Sequence, residues 1–127
     1  MDLANASIAQ VLIPTHDLER AIAFYRDQLG LPFLFSAPPQ MAFFQCGAVR
    51  LLVGVPTDSS IDHPFAGLYF KVADIQLAYD TMHGRGVEFG VQPHVVHRMP
   101  NAELWLAEFK DPDGNALALM SEVAIAK

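Results

Sequence analysis

One cysteine, one tryptophan and eight basic residues among 127 positions mark what this sequence does without. A lone Cys46 excludes an internal disulfide and fits a reducing cytoplasm. Eight basic against 14 acidic residues leave a net charge of −6, which offers no footprint for a phosphate backbone, so nucleic acid is not an expected partner. No apolar run approaches the roughly 18 residues that a membrane-spanning helix needs. The first nine residues carry neither a basic region nor a long apolar core, so no secretory signal is expected. What is present is core-forming material. The hydrophobic fraction is 52% and the mean hydropathy +0.24, as in a folded chain. The length suits a single domain, residues 1–127, burying about two-thirds of its unfolded surface.

An internal repeat organises the chain. A strand over 8–15 leads into Asp17-Leu18-Glu19-Arg20-Ala21-Ile22-Ala23-Phe24-Tyr25 and then Leu29-Gly30-Leu31. A strand over 67–72 leads into Asp74-Ile75-Gln76-Leu77-Ala78-Tyr79 and then Gly84-Arg85-Gly86-Val87. The aspartates lie 57 positions apart and Gly30 and Gly86 56 apart. Each Asp reads as a helix N-cap and each Gly as the residue that stops the helix. Leu18, Ala21, Ile22, Tyr25 and Leu29 fall at helical spacing, as do Ile75, Ala78, Tyr79 and Met82. Three strand-like segments follow each helix, over 32–36, 41–46 and 49–55, and over 88–98, 103–110 and 116–120. Residues 56–64, rich in Asp, Ser and Pro, read as a linker. The pattern predicts an α+β protein of two βαβββ modules, about 7–55 and 65–122. Packed together they would form a curved mixed sheet, with helices outside and a concave ligand cup inside.

The turn Asp111-Pro112-Asp113-Gly114-Asn115 has its own mechanism. Pro112 presets φ, Gly114 accepts a positive φ, and the Asp and Asn side chains can bond the local backbone. Together with Asp-Leu-Glu-Arg-Ala-x-x-Phe-Tyr-x-x-x-Leu-Gly-Leu over 17–31, this turn and the strand after it resemble the vicinal oxygen chelate superfamily. That group includes glyoxalase I, extradiol dioxygenases and bleomycin-binding resistance proteins. The resemblance covers residues 8–122 and implies the fold far more strongly than any reaction. In the family's enzymes a divalent metal on His, Glu or Gln side chains chelates adjacent substrate oxygens as a Lewis acid.

Carried over residue by residue, the resemblance puts the four usual ligand positions on Gln10, Leu52, Gly67 and Ala118. Only Gln10 carries a donor atom, too little for a first-row metal. No metal and no other cofactor are therefore expected. The histidines offer no obvious substitute. His16 adjoins an N-cap, His63 sits in the linker and His83 ends a helix. His94 and His97 lie on or beside a cup-flanking strand, but their spacing of three puts them on opposite faces unless a bulge intervenes.

Strand alternation anchored on those positions predicts the rest of the lining. Gln10 and Leu12, Arg50, Leu52 and Gly54, Gly67, Tyr69 and Lys71, Leu104, Leu106 and Glu108, and Ala116, Ala118 and Met120 would face the cup. Trp105, Ala107 and Phe109 would pack beneath the helices. Arg50 is the candidate anchor for an anionic or carbonyl-bearing ligand, or else pairs with an acid across the sheet. Lys71 and Glu108 form a solvated pair at the rim, or Glu108, Tyr69 or His94 acts on a ligand as an acid–base group. Cys46, in a turn, reads as inert. Three functions follow: a metal-free binder of a small organic molecule, an enzyme with a displaced metal site at Gln10, His94 or Glu108, or a metal-independent enzyme. Members of the family commonly dimerise because edge strands of the curved sheet are left open, so the resemblance implies a homodimer, with apolar contact from 33–35 and 41–44.

Overall fold

In the computed structural model, which describes residues 2–56 and 66–125, the chain separates into two compact units, Met1–His63 and Pro64–Lys127. Most of the linker expected over 56–64, with His63, lies outside the described residues. Each unit runs strand, helix and three strands, which makes the protein α+β.

The first unit contains β1 (Gln10–Pro14), α1 (Leu18–Ile22) continuing as a π-helical segment (Ala23–Gln28), β2 (Phe33–Ala37), β3 (Met41–Cys46) and β4 (Val49–Gly54). Its sheet order is β1-β4-β3-β2, with β1 parallel to β4 and the other pairs antiparallel. Asp17 caps the helix through Oδ1, which accepts from the Arg20 N–H at 3.1 Å. The sequence predicts a plain α-helix from here to Gly30, and the structure corrects this. Past Ile22 the helix widens, and the Leu29 N–H donates to Phe24 O at 2.9 Å, five residues back. That wider turn lets the adjacent Phe24 and Tyr25 both reach the sheet, where they are buried beside Ala21. Gly30, at φ +79°, then reverses the chain, and the Leu31 N–H closes on Tyr25 O at 3.0 Å.

The second unit contains β5 (Ala66–Lys71), α2 (Ile75–Gly84), β6 (Phe89–Arg98), β7 (Ala102–Lys110) and β8 (Ala116–Ala124). Its order, β5-β8-β7-β6, repeats the first plan, again with one parallel pair, β5 with β8. Asp74 caps α2 by accepting from the Leu77 N–H at 3.0 Å. The β7–β8 turn is held from within. Asp111 Oδ1 accepts from the N–H groups of Asp113 and Asn115, each at 2.9 Å, and Oδ2 accepts from the Asn115 amide at 2.7 Å. Asp111 and Asn115 are both buried, so this carboxylate exchanges water for fixed donors.

The core of each unit lies between helix and sheet. In the first, Ile13, Ala42, Phe44, Leu51 and Val53 meet Ala21, Phe24 and Tyr25. In the second, Ala107, Phe109, Leu117 and Leu119 lie on the helix side with Ile75 and Met82, and Tyr79 packs on Phe89 at 4.6 Å between ring centroids.

Candidate functional site

Because directly paired residues share a face, the strand registers define what each sheet presents on the side away from its helix. In the first unit that open face consists of three cross-strand rows. Gln10, Arg50 and Gln45 form one, Leu12, Leu52, Phe43 and Phe35 the next, and Pro14, Gly54, Met41 and Ala37 the third. The expected positions Gln10, Leu12, Arg50 and Leu52 thus stand together. A hollow of about 230 Å³ opens over the second and third rows, lined by Leu12, Pro14, Pro39, Met41, Leu52, Gly54, Val55 and Pro56. It is almost wholly apolar.

Phe43 and Phe35, assigned from sequence to a dimer contact, belong to this face. A register shift in β2 at Leu34 is responsible. It sends Phe33 to the core side, where its ring packs on Phe44 at 5.5 Å, and turns Phe35 outward to stack on Phe43 at 4.5 Å. The Arg50 guanidinium lies 5.9 Å from the Phe43 ring centroid. No carboxylate pairs with Arg50 among the described residues, so the cross-sheet ion pair considered as its alternative does not form. The signal that could have found Phe43 was present: β3 alternates strictly, and Phe44 could not be buried unless Phe43 faced the other way.

The open face of the second unit is more polar. Its rows are Val91, Glu108, Ala118 and Tyr69, then His94, Leu106, Met120 and Lys71, then His97, Leu104 and Glu122. The expected Tyr69, Lys71, His94, Leu104, Leu106, Glu108, Ala118 and Met120 all lie on it. Glu108 and Tyr69 flank the buried Ala118 in one row, and both are exposed. Lys71 stands one row away from Glu108, across β8, and the two form no ion pair among the described residues. The solvated rim pair is therefore replaced by two separately hydrated charges.

His94 and His97 were expected on opposite faces of a regular strand. β6 is not regular. Its register shifts between Val91 and His94 and again between Val95 and His97, so His94 opposes Leu106 and His97 opposes Leu104 on the same side. His94 is also oriented. Its Nδ1 lies 2.8 Å from Gln92 O, and since a carbonyl only accepts, Nδ1 carries the hydrogen in that contact. His16 and His83 are exposed, the latter stacked on Tyr79, and neither joins an open face.

The donor set does not fit the metal that the resemblance implies. Leu52 and Ala118 carry no ligating atom. Gly67 is the extra residue of a bulge in β5, at φ +97° with open space where a Cβ would stand. Gln10 is exposed at the start of β1. Cys46 is half-buried, and burial pushes its thiol above the ordinary range, which disfavours the nucleophilic thiolate.

Comparison with known proteins places this geometry in context. The family model described as Glyoxalase/Bleomycin resistance protein/Dioxygenase superfamily matches residues 7–119. The chain is 27% identical over 129 residues to the uncharacterized protein YraH of Bacillus subtilis (strain 168), spanning 88% of this chain and 95% of that one. Its structure is similar to that of lactoylglutathione lyase from Agrobacterium tumefaciens, with 25% identity, a TM-score of 0.72, and coverage of 91% and 93%. It is also similar to TnmS3, an antibiotic binding protein from Streptomyces sp. CB03234, with 21% identity, a TM-score of 0.78, and coverage of 95% and 99%. That second likeness is one of fold. Among the described residues no helix is long and apolar enough to cross a membrane.

Proposed function

This chain belongs to the Glyoxalase/Bleomycin resistance protein/Dioxygenase superfamily, and on that premise we propose that it holds a small organic molecule against the open face of a sheet by contact rather than through a chelated metal. One observation carries the reading. Three of the four usual ligand positions are Leu52, Gly67 and Ala118, whereas the surrounding positions form a hydrophobic surface with a few hydrogen-bonding groups. Such a surface gains affinity from the apolar area it removes from water and orientation from Gln10 and Arg50 on the first face or from Tyr69 and His94 on the second. Sequestration of this kind is in keeping with the antibiotic-binding relative of the same fold. The same reading makes the protein a cytoplasmic homodimer, and a monomeric mass by light scattering at micromolar concentration would contradict that part.

A small-molecule screen by thermal shift, followed by backbone amide NMR mapping, tests the binding reading. The expected result is a ligand whose shift changes centre on one open face, Leu12 and Leu52 in the first unit or Tyr69 and Leu106 in the second. Changes confined to the helix sides or the chain ends would contradict it.

A second reading is supported by the shared row of Glu108 and Tyr69 and by the oriented ring of His94. They give a metal-independent enzyme its acid–base groups, with Glu108 able to take a proton and Tyr69 able to donate one. Glu108→Gln separates the two readings. Under contact binding it leaves the affinity of a screened ligand unchanged, whereas under acid–base chemistry it abolishes turnover.

A further inference from the structure

The binding reading leaves the chemistry of the ligand open, and the first sheet narrows it. Its three open-face rows form a graded sequence. The hollow beside Met41 and Leu52 is apolar and, at about 230 Å³, somewhat larger than the roughly 150 Å³ cavity that admits a benzene ring. Next come Phe43 and Phe35, stacked with their planes 25° apart, Phe35 keeping 45% of its surface exposed. Beyond them Arg50 lies over Phe43, an exposed cation without a counter-ion among the described residues, and no acidic side chain stands in any of the three rows. A cross-strand phenyl pair can serve the sheet alone. It accounts for neither a guanidinium without an ion-pair partner among the described residues nor the adjoining hollow.

Resting on that binding reading, we propose that the ligand is an elongated, flat conjugated molecule with an anionic group at one end. The apolar end enters the hollow, the ring system lies against Phe43 and Phe35, and the anion meets the fork of donors on Arg50. Rows on one face of a strand are about 6.8 Å apart, so a ligand reaching from the third row to the first spans on the order of 10–14 Å.

The test titrates the full chain, monitored by amide NMR, with three probes of comparable length: biphenyl-4-carboxylate, biphenyl-4-carboxamide and decanoate. The carboxylate is expected to bind tightest and to shift Phe43, Arg50 and Leu52. Arg50→Gln should weaken the carboxylate about tenfold and the amide by less than about twofold. Phe43→Leu should weaken both biphenyls several-fold and spare decanoate. Phe35→Leu, on the exposed edge strand, repeats that comparison if the Phe43 variant folds poorly. Decanoate matching the biphenyl acid at the same residues, or Arg50→Gln weakening amide and acid equally, would overturn the proposed ligand class while leaving contact binding intact. If the three probes leave the open face unshifted and the wider screen finds a ligand there, the class is again wrong. If that screen also finds nothing on either open face, the binding reading itself fails.

Discussion

The two units follow one βαβββ plan and one strand order, yet the faces turned away from their helices differ in kind. The first presents leucines, a phenyl pair and a single cation, Arg50. The second presents Glu108, Tyr69, Lys71, His94, His97 and Glu122 around a few apolar residues. The helix sides, by contrast, match closely, with an Asp cap, a glycine after the helix and a sealed apolar layer in both. Folding constrains the helix side, because capping and core burial act there. The open face carries few of those duties and is free to take on chemistry. The first unit presents a mainly apolar surface and the second one rich in hydrogen-bonding side chains.

Adjacent residues on opposite faces of β3 should differ most in what their loss costs. Phe44→Ala should cost about 3–5 kcal/mol, since its ring is fully buried against Phe33 and Tyr25. Phe43→Ala should cost less than about 1.5 kcal/mol, because its partners are an exposed phenyl and an exposed guanidinium. Chemical denaturation of both variants measures the contrast, and equal losses would refute the assignment of faces.

A smaller effect separates the hairpin turns. Asp111→Ala should destabilise the protein by about 3 kcal/mol, because it strands the buried Asn115 amide and the two backbone N–H groups that the carboxylate serves. In the β3–β4 turn, Gln45 Nε2 donates to Gly47 O at 2.7 Å in solvent, and Gln45→Ala should cost under about 0.5 kcal/mol.

Smaller still, Asp17→Ala and Asp74→Ala should each cost about 1 kcal/mol, measuring the equivalence of the two caps. Smallest of all, Arg50→Gln and Glu108→Gln should each move stability by less than about 0.5 kcal/mol, since both side chains are exposed and without ion-pair partners among the described residues. A larger loss from either would show an open-face charge serving the fold rather than a ligand.

Much of this was legible in the sequence, for reasons that can be named. Caps, stops and the Asp111–Asn115 turn are local chemistry, written in residue types at fixed offsets, and the parity of β7 and β8 follows from counting outward from that turn. Where counting crossed an irregularity it failed. The shift at Leu34 separates Phe33 from Phe35, and the shifts in β6 bring His94 and His97 to one side. A bulge inserts one residue into a ladder and can do so at Leu34 or Val96, types that carry no turn signal. The π-helical segment was hidden for a similar reason. Residues 23–28 suit an α-helix, and it is the packing of both Phe24 and Tyr25 on the sheet that widens the turn.

Contact binding of a ligand, as proposed for this chain, requires that no metal be held at the positions that the family resemblance assigns to ligands. Metal analysis by inductively coupled plasma mass spectrometry tests it most directly, on protein purified without chelators and then incubated with nickel, zinc, manganese or ferrous iron before desalting. The expected content is far below one ion per chain for every metal, since Leu52, Gly67 and Ala118 offer no ligating atoms. About one ion per chain surviving desalting, and lost in a Gln10→Ala or His94→Ala variant, would contradict it.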